Sequence, residues 1–142
     1  MAIIKITGAS HHMVLIRELT NEYEVKENLG RERYVVVSDF FKIIYEFSTG
    51  EIVIFANDEK FLETLKKLCG LERYLKNAII VGFSHELETK TESGLELRKR
   101  PELRIRFIEA GEELWIGKGE DGCYFSGTIN GIKELTEMLS QR

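Results

Sequence analysis

The chain has 142 residues, 43% hydrophobic and 31% charged, with a formal net charge of −4. That length suits one domain, residues 1–142, with its own core, and apolar residues in nearly every segment exclude a disordered chain. Mild net acidity argues against wholesale binding to nucleic acid or anionic membrane, since both reward excess positive charge. No stretch approaches the ~18 continuous apolar residues of a membrane helix.

Residues 1–7 are too short for the hydrophobic region of a signal peptide. The two cysteines, Cys69 and Cys123, lack CxxC spacing, which disfavours a zinc ribbon or a redox motif. A reducing cytoplasm with both thiols free is therefore the expectation. Glu is abundant, Gln occurs only at Gln141 and Asn is sparse. With many Lys and Arg, that bias is the pattern of heat-adapted proteins.

Residues 2–7 read as a strand with Ile4 and Ile6 on one face. Gly8-Ala9-Ser10 signals a turn, and residues 12–17 are expected to return as a strand through Met13, Val14, Leu15 and Ile16. Residues 22–27 and 33–37 follow as strands around a turn at 28–30. The competing helix over 17–29 would have a poor apolar stripe in Leu19, Tyr23 and Val25.

The clearest hairpin joins 43–47 to 52–56. A two-residue turn at Thr49-Gly50 predicts Phe47 opposite Ile52, Tyr45 opposite Ile54 and Ile44 opposite Phe55. Both faces would then be apolar and covered for much of their length. Asn57 or Asp58 is expected to cap a helix over about 58–69, with Phe61, Leu62, Leu65 and Leu68 inward and Gly70 ending it.

Residues 78–88 read as one long strand with His85 on its apolar face, and 89–94 as a polar connection. Residues 95–98 and 103–108 are strands interrupted by Pro101. Residues 103–108 pair with 113–117, placing Arg106 opposite Trp115. A last strand, 123–127, runs into a second amphipathic helix over about 129–140, with Ile132, Leu135, Met138 and Leu139 inward.

The fold expected is α+β: a mostly antiparallel sheet of hairpins packed by two amphipathic helices. Residues 34–68 and 103–139 each read strand, strand, strand, helix. A weak βββα duplication would account for this, and so would the ordinary habit of antiparallel α+β domains.

Chemistry-bearing motifs are scarce. No nucleophile elbow, phosphate-cradling loop or dinucleotide fingerprint occurs. His11 and His12 are adjacent and would point apart on a strand. No metal site or cofactor is expected, and neither cysteine has a basic neighbour that would activate it. An enzyme would have to assemble its site from scattered residues, with His85, Asp39, Glu46 and Tyr45 as candidates.

The most suggestive feature is basic. Arg98, Lys99, Arg100, Arg104 and Arg106 stand with one acid, Glu102, in nine residues. With Trp115 across the hairpin, they form a candidate polyanion surface, arginines on phosphates and indole on a base. The alternative is a solvated strand face neutralised by Glu96, Glu102, Glu109, Glu112 and Glu113.

The leading expectation is thus a non-catalytic interaction domain, binding a protein partner or a second copy of itself, without membrane contact. Nucleic-acid or other polyanion binding ranks second, and an enzyme with a site near His85 third.

Overall fold

The computed structural model describes residues 1–92, 102–108, 111–119 and 121–141, with side chains for 1–89, 113–118 and 121–141. In chain order the elements are β1 (Ala2–Thr7), α1 (His12–Thr20), β2 (Lys26–Leu29), β3 (Arg33–Val37), β4 (Phe41–Glu46) and β5 (Glu51–Ala56). There follow α2 (Phe61–Cys69), β6 (Ile79–Phe83), α3 (His85–Glu92), β7 (Glu102–Ile108), β8 (Gly111–Gly119), β9 (Gly122–Gly127) and α4 (Ile129–Ser140). The fold is α+β, with one nine-stranded sheet in the order β2-β3-β4-β5-β1-β6-β9-β8-β7. Among the described residues all eight strand pairings are antiparallel.

β1 and β6 lie side by side at the middle of the sheet. Outward from them run β5, β4 and β3 on one side and β9, β8 and β7 on the other. Each half contains a strand, a helix, a run of hairpin strands and a closing helix.

The two predicted helices are present. In α2, Phe61, Leu65 and Leu68 are fully buried, and in α4 so are Ile132 and Leu135. They meet Ile4, Ile6, Ile52, Ile54, Ile80, Leu114, Ile116 and Phe125 from the sheet in one core. The expected cap of α2 differs: Asp58–Lys60 is a single 3-10 turn, Asn57 makes no side-chain cap bond, and the helix proper begins at Phe61.

Two further helices replace predicted strands. Residues 12–17 belong to α1, which buries Leu15, Ile16 and Leu19 and leaves Val14 exposed. A run of four apolar residues does not distinguish strand from helix by periodicity. Packing decides, because positions 15, 16 and 19 make a helical stripe that seals the sheet beside α2. The predicted strand over 78–88 ends at Phe83. Ser84 is buried, and its Oγ accepts the Glu86 N–H at 3.0 Å, which starts α3 and carries Leu87 into the core. The expected polar connection is helical as far as Glu92. The strand expected over 95–98 lies outside the described residues.

The central hairpin forms with its register moved by two. Tyr45 pairs with Ile52, Ile44 with Val53 and Ile43 with Ile54. The loop has four residues rather than two. Gly50 donates its N–H to the Glu46 carbonyl at 2.9 Å and adopts φ +70, the left-handed conformation that glycine reaches without strain. A slip of two preserves which face each side chain occupies, so Ile52, Ile54 and Ala56 are buried as the alternation requires.

The second covered face expected of this hairpin is not there. Glu51, Val53 and Phe55 are only half-buried. α1, α2 and α4 bury the inner face alone, which is a common state for an antiparallel sheet.

Candidate functional site

Register partners share a face of the sheet, so the outer surface can be read across the strands. One row runs Trp115, Ser126, Val81, Lys5, Val53, Ile44 and Val35. The next runs Tyr124, Phe83, Ile3, Phe55, Lys42, Val37 and Lys26. Ile3 is 36% exposed at the centre, with Tyr124 at 37% and Val37 at 40% on either side. This is a largely apolar surface interrupted by Ser126, Lys5, Lys42 and Lys26, more than the single exposed hydrophobics that every protein shows.

The aromatic side chains gather in one half. Phe83 and Tyr124 have ring centroids 5.4 Å apart. The Trp115 indole lies over Gly117, where a Cβ would fall 2.1 Å from it. With Ile3, Lys5 and Val81 these side chains line a shallow concavity of about 380 Å³. The other half holds a second hollow, of about 410 Å³, around Val37, Phe40, Lys42, Ile44 and Phe55.

Charge on this face differs in sign from the chain. Across β1 to β5, Lys5, Lys26, Arg33 and Lys42 stand against Glu46 and Glu51, a net of +2 in a chain at −4. Lys5 pairs with Glu51 at 3.1 Å and Arg33 with Glu46 at 3.1 Å. Lys26 and Lys42 have no carboxylate partner among the described residues. Exposed ion pairs of this kind contribute about 0–1 kcal/mol, so the face can exchange them for a ligand at little cost.

The predicted basic surface is only partly brought to this face. Trp115 is there. Arg104, not Arg106, is its register partner; Arg106 pairs with Leu114. Register shifts on either side of Arg106 explain the difference, because a bulge adds a residue that simple alternation does not count. Arg98, Lys99 and Arg100 lie outside the described residues. Sequence reading missed Phe83, Tyr124, Ile3 and Lys42, although their alternation along their strands was visible. What it lacked was the strand order that lines them up.

The scattered candidates for an enzyme do not converge. His85 is not on a strand face but opens α3, exposed, with its ring edge-on to Phe83 at 5.0 Å and Nδ1 3.3 Å from Glu88. Asp39 sits in the β3–β4 turn, where Ser38 Oγ accepts the N–H of Phe40 and Phe41. Tyr45 stacks on His12 at 4.6 Å, and Glu46 is taken by Arg33. Cys123 is buried, and Cys69 lies 3.5 Å from the Thr136 hydroxyl. Among the described residues no three His, Cys, Asp or Glu are grouped to hold a metal, and no helix is long and apolar enough to cross a membrane.

A separate polar cluster lies on the helical side. The Tyr23 hydroxyl donates to Glu63 at 2.6 Å, Lys60 pairs with Glu63 at 3.2 Å, and the Lys67 ammonium sits 4.8 Å from the Tyr23 ring centroid. The hollow beneath, about 20 Å³, is too small for a substrate. The cluster fastens the segment after α1 onto α2. The hydrogen bond to Glu63, then burial, pushes the Tyr23 phenol up to about 12 from 10.0.

A raised folded pKa means the folded chain holds this proton more tightly than the unfolded chain. Its stabilisation is complete below pH 10 and is lost as pH rises through about 12. Phenolate absorbance in an alkaline titration should show Tyr23 ionising last or nearly so. Glu63→Gln should bring it back toward 10. An unchanged titration in the variant would discount the bond.

Comparison with known proteins returns no match: no family model, no curated protein and no solved structure is similar to this chain.

Proposed function

We propose that the chain is a non-catalytic binding domain that works through its uncovered sheet face, and that it holds a nucleic-acid strand there. One observation carries the reading. The outer face joins exposed aromatic and aliphatic side chains to Lys26 and Lys42, which have no carboxylate partner among the described residues, with a net positive charge across β1 to β5 in an acidic chain. Polyanions that also present flat apolar surfaces are nucleic acids, and aromatic platforms flanked by cations are the usual means of holding them. The acidic remainder confines binding to that face and disfavours non-specific association elsewhere.

Binding should weaken with salt, because each phosphate neutralised releases condensed counterions. The double variant Lys26→Glu plus Lys42→Glu should lose retention on a polyanion column and flatten the salt dependence for a labelled oligonucleotide. Both residues stand on the outer face rather than in the core, so the fold should survive, and circular dichroism checks this. Parent protein that fails to bind heparin or any oligonucleotide at low salt would overturn the reading. If that protein also dimerises with concentration in sedimentation, the face belongs to a second copy of the chain instead.

A further inference from the structure

Resting on that reading, we infer that the hollow beside the β3–β4 turn is the anchoring point of the face, and that it holds one nucleotide, with the base against Phe55 and the phosphate on Lys42 and Lys26.

The ring and the cations are neighbours. Lys26, Val37, Lys42 and Phe55 are register partners across β2, β3, β4 and β5, so they stand in one outward row. Adjacent strands lie about 4.8 Å apart, which sets Lys42 directly beside Phe55 and Lys26 two strands further on. The base and phosphate of a single nucleotide can thus be held together. Two ammonium groups on either side of Val37 suit a phosphate dianion better than the single charge of a carboxylate.

The hollow, about 410 Å³, has the size of a small-ligand site, roughly 300–1,000 Å³. Ile44 and the half-buried Phe55 give it an apolar floor, and polar groups converge on it. Ser38 Oγ accepts the N–H of Phe40 and Phe41, which engages both its lone pairs and leaves its proton to donate. Asn57 donates its backbone N–H to the Phe40 carbonyl at 3.0 Å, and its side chain makes no cap bond. That side-chain amide offers both a donor and an acceptor to a base edge. Asp39 also lines the hollow. Its carboxylate repels a phosphate and suits a sugar hydroxyl or an exocyclic amine. Phe40 is a wall rather than a platform, because the Lys60 ammonium already lies over its ring, 4.7 Å from the centroid.

Calorimetric titration of the full chain tests this with a nucleoside 5′-monophosphate, the bare nucleoside and inorganic phosphate, beside a labelled single-stranded oligonucleotide. The monophosphate should displace the oligonucleotide and bind at least about tenfold more tightly than either fragment. Phe55→Leu keeps apolar bulk and removes the π-face; it should weaken the monophosphate on the order of tenfold. Lys42→Glu should weaken it at least as much. An oligonucleotide that binds while the monophosphate neither binds nor competes would overturn this inference and leave the broader proposal standing. Inorganic phosphate that binds as tightly as the monophosphate, or a monophosphate indifferent to Phe55→Leu, would overturn it as well. A monophosphate bound by protein that ignores the oligonucleotide keeps the hollow and removes the strand. Binding of neither removes both.

Discussion

Phe125→Ala should lower the unfolding free energy by about 3–5 kcal/mol, the range for emptying a buried aromatic site. Phe125 lies on β9 with 1% exposure, and its ring centroid is 5.8 Å from that of Phe61 on α2. It therefore ties a strand of the second half to a helix of the first. Across the sheet its register partners are Gly82 and Ile116. A Cβ at Gly82 would stand 2.9 Å from the Phe125 ring and 2.0 Å from the Ile3 carbonyl oxygen. The ring thus fills space held open by strands already in close contact, and a rigid sheet collapses poorly into a void. The cost should fall in the upper part of the range. Chemical denaturation measures it, and a loss below about 1 kcal/mol would contradict this account of the core.

Gly131→Ala should also destabilise, by about 1–3 kcal/mol, the range for overpacking a filled site. The sign is the informative part. Within a solvated helix, alanine in place of glycine is favourable by roughly 1 kcal/mol. Here α4 presses on β8, and a Cβ at Gly131 would fall 1.7 Å from the Glu113 carbonyl oxygen. That oxygen accepts the Thr128 N–H at 3.0 Å, so lifting the helix to make room strains its own entry into the sheet layer. A rise in Tm for this variant would show that α4 does not rest on β8 this closely.

Both variants act on the inner face. Phe125 is 1% exposed, although it also lines the floor of the outer hollow, and Gly131 has no side chain to lose.

The elements most legible in the sequence were those whose side-chain period was long and clean. Phe61, Leu65 and Leu68, and Ile132, Leu135 and Leu139, repeat at helical spacing and are buried in α2 and α4. Ile52, Ile54 and Ala56 alternate and are buried in β5. Misreadings fell where the period was short or shared. Met13 to Ile16 is apolar throughout, and His85 and Leu87 continue the alternation of β6 into a segment that Ser84 instead turns into a helix. Local apolar order says that a segment is buried; it does not say whether a sheet or a helix is missing at that place.

The candidate face shows the same limit. Trp115 and the basic run were visible as a linear cluster, yet the bulged register exchanges Arg106 for Arg104 beside the indole. Tyr124, Phe83, Ile3, Phe55 and Lys42 come from five strands spread over more than 120 residues of chain, and no local pattern connects them.

The amino-acid sequence by itself determined the α+β class, the antiparallel hairpins and the two longest amphipathic helices, because each follows from side-chain periodicity within a few turns or one hairpin. Tertiary structure decided the strand order, the placement of helical cover on one face and the surface left open. Those depend on which distant segments bury one another, and side-chain period alone carries no information about the partner.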